Sequence, residues 1–252
     1  MLYLVGLGLC DEKDISLKGL DALKNSDKIF VDYYTHIISE KTIENIEKLI
    51  NKKLIKLERA ELEDERIILE NSKTKNISLL VGGDPLIATT HISLILSCIK
   101  SEINYEIIHS SSIYSAAIGE SGLQTYKFGK AVTLVFWEDK YKPISPYEII
   151  YENKQIGLHS LVFIDLHGQK PMNIQTACSV FRKMEHEIKK GLINDDFELI
   201  ILSRLGYTDK KILFGKLKQI ENKFTEIKSP FIIVVPGKLH FLEKEWLNNF
   251  EI

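Results

Sequence analysis

Short apolar runs alternate with longer amphipathic stretches along this chain, the pattern of an α/β protein in which helices cover a sheet. Residues 2–5 predict a first strand that runs into Gly6-Leu7-Gly8. Ser16 stands where a cap is needed before Leu17, Leu20 and Leu23, which recur at helical spacing. A short strand follows over 29–31, and the charged stretches 39–50 and 60–72 predict two amphipathic helices. Residues 77–81 read as a buried strand and lead directly into Gly82-Gly83-Asp84-Pro85. An apolar helix over 91–99, a strand over 105–108 closed by His109-Ser110-Ser111-Ser112, and a helix opening at Ile113 complete a first α/β domain.

Beyond Gly129 the style changes. Residues 131–136 alternate β-branched and apolar side chains as strands do, and 143–146 form a surface turn before a short helix. A strand over 161–164 ends at Asp165, and a loop through Gly168 and Pro171 leads to a long helix reaching about Lys190. Strands over 198–203, 212–216 and 231–235 and a terminal helix make a second α/β domain. The boundary is expected at 127–130, giving domains 1–127 and 128–252.

Composition narrows the class. The 252 residues fit one large domain or two of ordinary size, and 44% hydrophobic with 27% charged residues is usual for a soluble globular protein. A net charge of −2 and a pI near 6.4 argue against a general nucleic-acid binder. Cys10, Cys98 and Cys178 lie far apart, so neither a disulfide framework nor a zinc site is expected. No apolar run approaches the ~18 residues of a membrane span, and the apolar N-terminus lacks the basic head of a signal peptide. The expected location is cytoplasmic.

Val81-Gly82-Gly83-Asp84-Pro85 carries the strongest local signal. Glycines at the carboxyl end of a buried strand let a ligand approach the backbone with no β-carbon in the way. Gly, Asp and Pro are also the commonest turn residues, so this segment alone fits a plain turn equally well. Gly6-x-Gly8 begins a dinucleotide fingerprint, but Asp11 stands where the third glycine belongs, which speaks against a Rossmann phosphate loop. His109-Ser110-Ser111-Ser112 sets hydroxyls and backbone N–H groups before a helix, suited to a polar ligand or to simple capping. Together, three such strand ends point to a pocket at the carboxyl edge of an open sheet. No P-loop, H-E-x-x-H or G-x-S-x-G motif occurs, which removes the P-loop hydrolase, zincin and serine hydrolase classes. The seven histidines show no metal-ligand spacing. The Lys/Glu-rich stretches 40–56 and 183–190 read as solvated helix faces.

These residues resemble the diphthine synthases. The resemblance lies in the opening Met1-Leu2-Tyr3-Leu4-Val5-Gly6-Leu7-Gly8-Leu9, in Tyr34-Thr35, and in Gly82-Gly83-Asp84-Pro85-Leu86-Ile87-Ala88-Thr89-Thr90-His91. It continues through Gly122-Leu123-Gln124, Phe136-Trp137, Leu158-His159-Ser160-Leu161, Ser203-Arg204-Leu205-Gly206 and Val235-Pro236-Gly237-Lys238-Leu239-His240. It implies a tetrapyrrole-methylase-like fold of two α/β domains with the cofactor, S-adenosyl-L-methionine, in the cleft between them and S-adenosyl-L-homocysteine as product. It also implies a homodimer. The substrate would be translation elongation factor 2, whose histidine bearing a 3-amino-3-carboxypropyl group is trimethylated to diphthine. By position, the cofactor contacts would be Leu9, Asp84, Ile87, Ser112, Ile113, Leu166, Leu205 and Phe231, mostly apolar, with Asp84 the one carboxylate. The chain departs from the family at Ser110-Ser111, where Asn and Ala are common, and at His36, where Ser is usual. It lacks a long insertion between Asp165-Leu166 and Gly168, which is similar to the archaeal, trimethylating members. A tetramethylating diphthine methyl ester synthase, a tetrapyrrole methyltransferase of the same fold, and a non-catalytic sensor of the cofactor are the competing readings.

Methyl transfer from a sulfonium needs an uncharged lone pair in line behind the methyl carbon. An amine of pKa about 9–10 is mostly protonated at neutral pH, but a neighbouring sulfonium disfavours the ammonium. Alignment rather than a strong base is then expected to carry catalysis. Tyr33, Tyr34, Phe136 and Trp137 are candidates to line the acceptor side, because aromatic faces stabilise a quaternary ammonium; core packing is the alternative for each.

Overall fold

A computed structural model describes residues 1–223 and 225–252, which fall into two units, Met1–Ile113 and Tyr114–Ile252. In the first unit the elements are β1 (Leu2–Gly6), α1 (Leu17–Asn25), β2 (Lys28–Asp32), α2 (Glu40–Ile50), β3 (Leu54–Leu57), α3 (Arg59–Asp64), α4 (Arg66–Ser72), β4 (Ile77–Val81), α5 (Ile92–Lys100) and β5 (Tyr105–Ile108). The strands form one parallel sheet in the order β3-β2-β4-β1-β5. The chain steps one way from β1 through β2 to β3, then the other way to β4 and β5. Right-handed crossovers therefore put the intervening helices on opposite faces. The packing shows it: Ala22, Leu23, Ile43, Ile46 and Ile50 share one core with Val5 and Val31, while Leu62, Ile68, Leu94, Ile95 and Cys98 share another with Leu2 and Leu4. All of β4 is buried, as its unbroken apolar run predicts.

Several local expectations change. Ser16 does cap α1, its Oγ accepting from Gly19 N at 3.0 Å, but Leu17 is 82% exposed and the buried side is Gly19, Ala22 and Leu23. The 60–72 helix is two helices, because Glu65 takes a left-handed conformation (φ 56°) between them. Part of the 40–56 stretch read as a helix face is the edge strand β3, whose half-exposed pattern hides its pairing with β2.

The second unit continues with α6 (Ile113–Glu120, its first residue belonging to the first unit), β6 (Val132–Leu134), α7 (Ser145–Gln155), β7 (Ser160–Ile164), β8 (Leu166–His167), β9 (Lys170–Pro171) and α8 (Ile174–Ile188). β10 (Glu198–Ser203), β11 (Lys211–Lys216), α9 (Leu217–Glu221), β12 (Phe231–Val235) and α10 (Phe241–Leu247) complete it. Its main sheet runs β11-β10-β12-β7-β6 and is antiparallel except between β6 and β7. The loop through Gly168 is a tight hairpin of β8 and β9. The units divide after Ile113, earlier than the expected 127–130. The reason is local: Gln124 N donates to Glu243, Lys127 O accepts from His159 N, and Gly129 N donates to His159 O, so residues 124–129 are fastened to the second unit. The change of style at Gly129 marks the approach to β6 rather than a domain border.

Glu243 is the hub of that fastening. It is 1% exposed and accepts from Gln124 N (2.9 Å), His240 N (2.6 Å), His159 Nε2 (3.2 Å) and Lys127 Nζ. Burial works to raise its carboxyl, but these donors outweigh it and hold the group at about 2. Removing one partner of such a buried cluster leaves the others unpaired. Glu243→Ala should lose roughly 3 kcal/mol of stability in the second unit, and Glu243→Gln less. Both tryptophans, Trp137 and Trp246, lie in that unit, so their fluorescence in a urea titration reads it separately.

Candidate functional site

β1 and β4 are neighbours, and the chain leaves them toward opposite edges of the sheet. Open α/β sheets bind ligands at such a switch point, outside the carboxyl ends of the strands. The two turns there are tied together: Leu7 N donates to Val81 O (2.7 Å), Gly83 N to Gly8 O (2.9 Å) and Gly8 N to Gly83 O (3.2 Å). Gly83 takes φ +68°, and a β-carbon on it would meet nothing nearer than Ser112 Cα at 3.8 Å. Gly83 is half-buried, and a β-carbon on it would have room, in ordinary contact with the Ser111–Ser112 backbone. Gly82 is a glycine for another reason. A β-carbon there would fall 2.2 Å from the His36 ring.

Carboxylates organise the strand ends. Asp84 is buried; Oδ1 accepts from Leu86 N (3.0 Å), and Oδ2 lies 2.7 Å from His109 Nδ1 and 3.3 Å from Ser110 N. Most of its acceptor capacity is thus spent inside the protein, holding the β4 and β5 ends together. Asp32, fully buried at the end of β2, accepts through Oδ1 from Tyr34 N (2.9 Å) and Thr35 N (3.0 Å) and through Oδ2 from the Thr35 hydroxyl. Burial opposes its ionisation, but the contact with His91 and the Thr35 donors prevail and keep it well below the ordinary carboxylate range. His36 Nδ1 accepts from Gly82 N at 3.1 Å, so that nitrogen carries no proton. Burial accordingly pushes its pKa from 6.5 down to about 4, against the pull of Asp32.

The structure brings Leu9, Asp84, Ile87, Ser112 and Ile113 to this one edge of the first sheet: Leu9 follows the β1 turn, Asp84 and Ile87 follow β4, and Ser112 and Ile113 follow β5. Ser112 is buried and Ile87 is 40% exposed. Leu166, Leu205 and Phe231 share one edge of the second sheet. β7 and β10 run the same way and end there, and Phe231 opens β12 opposite Ser203. Two of the aromatic candidates already face cations of the protein itself. Lys56 Nζ sits 4.7 Å from the Tyr33 ring centroid and the Arg59 guanidinium 5.0 Å from that of Tyr34. Phe136 stacks on His167 with centroids 3.9 Å apart, while Trp137 borders a groove of about 360 Å³ with Phe136, Glu138 and residues of α8.

Comparison with known proteins decides the family. The family model for tetrapyrrole (corrin/porphyrin) methylases matches residues 1–221. The diphthine synthase of Methanocaldococcus jannaschii is 39% identical over 98% of this chain and 97% of its own length, and that of Methanosphaera stadtmanae is 40% identical over 98% and 94%. The chain belongs to the diphthine synthases of the tetrapyrrole methylase family. A crystal structure of a diphthine synthase superposes with a TM-score of 0.88 at 35% identity, covering 99% of this chain and 95% of that one. The chain is an S-adenosylmethionine-dependent methyltransferase with that family's mixed α/β fold. Among the described residues no group of three or more His, Cys, Asp or Glu is placed to hold a metal ion, and no helix is long and apolar enough to cross a membrane.

Sequence reasoning missed Asp32 and gave His36 and His109 no partner. A signal for Asp32 was present: an acid directly ending the apolar run Ile29-Phe30-Val31. His36 yields a test. Gly82→Ala should cost about 2 kcal/mol by overpacking, and much less in a His36→Ser background, measured as a double-mutant cycle by far-UV circular dichroism in urea. Between pH 6.5 and about 4 the unfolded chain binds a proton that folded His36 refuses. Stability is therefore full above pH 6.5 and falls toward pH 4. His36→Ser should flatten that slope.

Proposed function

We propose that this methyltransferase binds S-adenosyl-L-methionine at the carboxyl edge of the first sheet and trimethylates the amino group of the 3-amino-3-carboxypropyl-histidine of translation elongation factor 2, giving diphthine on the route to diphthamide. The observation that carries the donor site is the half-buried, side-chain-free backbone of Gly83, set beside Asp84 and Ser112 at the switch point with room for a β-carbon. Leu9, Ile87 and Ile113 supply apolar surface around it, and backbone groups of the two turns supply polar contacts. The family resemblance assigns Leu166, Leu205 and Phe231 to the same cofactor and makes the enzyme a homodimer. When bound, the cofactor supplies an electrophilic methyl group on a sulfonium.

The chain's own contribution is binding and alignment. Asp84 fixes the turn through Leu86, Ser110 and His109 and keeps part of its acceptor capacity for a ligand. The family resemblance reads the short Leu166–Pro171 hairpin, with no insertion, as that of the trimethylating members.

Incubating the protein with labelled S-adenosylmethionine and elongation factor 2 carrying the first-step intermediate should give a trimethylated peptide by mass spectrometry. A tetramethylated peptide would convert the reading to methyl ester synthesis, and methylation of a corrinoid in its place would overturn it. Gly83→Ala tests the donor site. A β-carbon has room there and the positive φ costs only about 1 kcal/mol of stability, yet affinity for S-adenosylhomocysteine should fall about tenfold or more by calorimetry, because the methyl group enters the ligand's space.

A further inference from the structure

The turn after β4 is held from beneath by a buried imidazole. His91 is 3% exposed; its Nδ1 lies 2.9 Å from the Pro85 carbonyl and its Nε2 lies 3.2 Å from Asp32 Oδ2. A carbonyl can only accept, so Nδ1 is the donor to Pro85. The approach of Nε2 to Asp32 does not meet hydrogen-bond geometry, which makes the Pro85 arm the directional one. Asp32 is itself immobilised by Tyr34, Thr35 and the end of β2. The ring therefore links the β2 end to the carbonyl that follows Asp84.

That stretch needs holding. Ala88 takes φ +57°, a left-handed conformation that an alanine adopts at a cost and keeps only where its surroundings fix it. The Pro85 carbonyl accepts a second bond, from Thr89 Oγ1 at 2.7 Å, and Leu86 N is bound to Asp84. The far end of the left-handed bend is thus anchored on Pro85 and the near end on Asp84, and His91 ties Pro85 to the end of β2. These bonds fix the path of residues 85–91, into which the Gly83–Asp84 turn leads directly.

We propose that His91 is a positioning residue of the methyl-donor site: by donating to the Pro85 carbonyl, with Asp32 orienting its ring, it presents the Gly83–Asp84 turn in its ligand-ready form before the cofactor arrives. This rests on the donor site assigned above. Preformed sites bind more tightly because the ordering cost has been met during folding.

Two substitutions separate this role from simple core packing. In His91→Asn the amide nitrogen takes the place of Nδ1 and keeps the Pro85 bond; in His91→Gln it takes the place of Nε2 and keeps only the Asp32 contact. Calorimetry of the full chain with S-adenosylhomocysteine should show Kd for His91→Asn within about threefold of the parent and for His91→Gln raised about tenfold or more, the worth of one buried hydrogen bond. Amide exchange across residues 83–90 of the ligand-free protein should quicken in His91→Gln and stay slow in His91→Asn. Equal behaviour of the two variants in both measurements, or parental binding by folded His91→Gln, overturns the proposal. If His91→Gln does not fold, Asp32→Asn replaces it. That variant keeps the ring but frees its orientation and should raise Kd with faster exchange over 83–90; unchanged values overturn the proposal. If the parent protein takes up no S-adenosylhomocysteine, the donor-site reading falls instead, and the exchange comparison still decides whether His91 sets the turn.

Discussion

β4 lies between β2 and β1 with every residue buried, so the backbone leaving it must find its hydrogen-bond partners among the neighbouring strand ends. Each neighbour answers. The Val81 carbonyl is taken by Leu7, Gly83 exchanges two bonds with Gly8, Gly82 donates to His36 from beyond β2, and Asp84 collects Ser110 and His109 from beyond β5. The turn is rigid because it is the place where four strand ends are joined. Within it Gly83 is half-buried and carries no side chain.

Histidines serve as connectors in both units. His36 and His159 each accept a backbone N–H at Nδ1, from Gly82 and Gly237, and in each burial lowers the pKa. Each is thereby a neutral spacer between a glycine turn and another element. His91 works in the opposite sense, donating from Nδ1 to a carbonyl. A single residue type thus gives two kinds of joint, set by which backbone group reaches Nδ1.

The chemistry proposed above draws on this rigidity. A methyl transfer to an amine needs distance and angle more than it needs proton transfer, and the edge of the first sheet offers fixed backbone, apolar side chains and one largely committed carboxylate. Tyr33 and Tyr34, whose faces are turned to Lys56 and Arg59, are held by charges of the protein's own. Phe136 and Trp137 line a groove that Lys183 also borders.

The sequence by itself determined the α/β class, the strands 77–81, 105–108, 198–203 and 231–235, the cap at Ser16 and the turns that follow β1, β4 and β5, because continuous apolar runs and turn residues act locally. It also carried the family, through motifs spread over the whole length. Tertiary structure alone decided the order of the sheets, since nothing in the run of residues says that β4 inserts between β1 and β2. It decided the edge strand β3, the break at Glu65 and the division after Ile113, each fixed by partners distant in sequence. Asp32 and His91 stood in plain view as residues. That they meet, 3.2 Å apart beneath the turn, follows only from the crossing of strands.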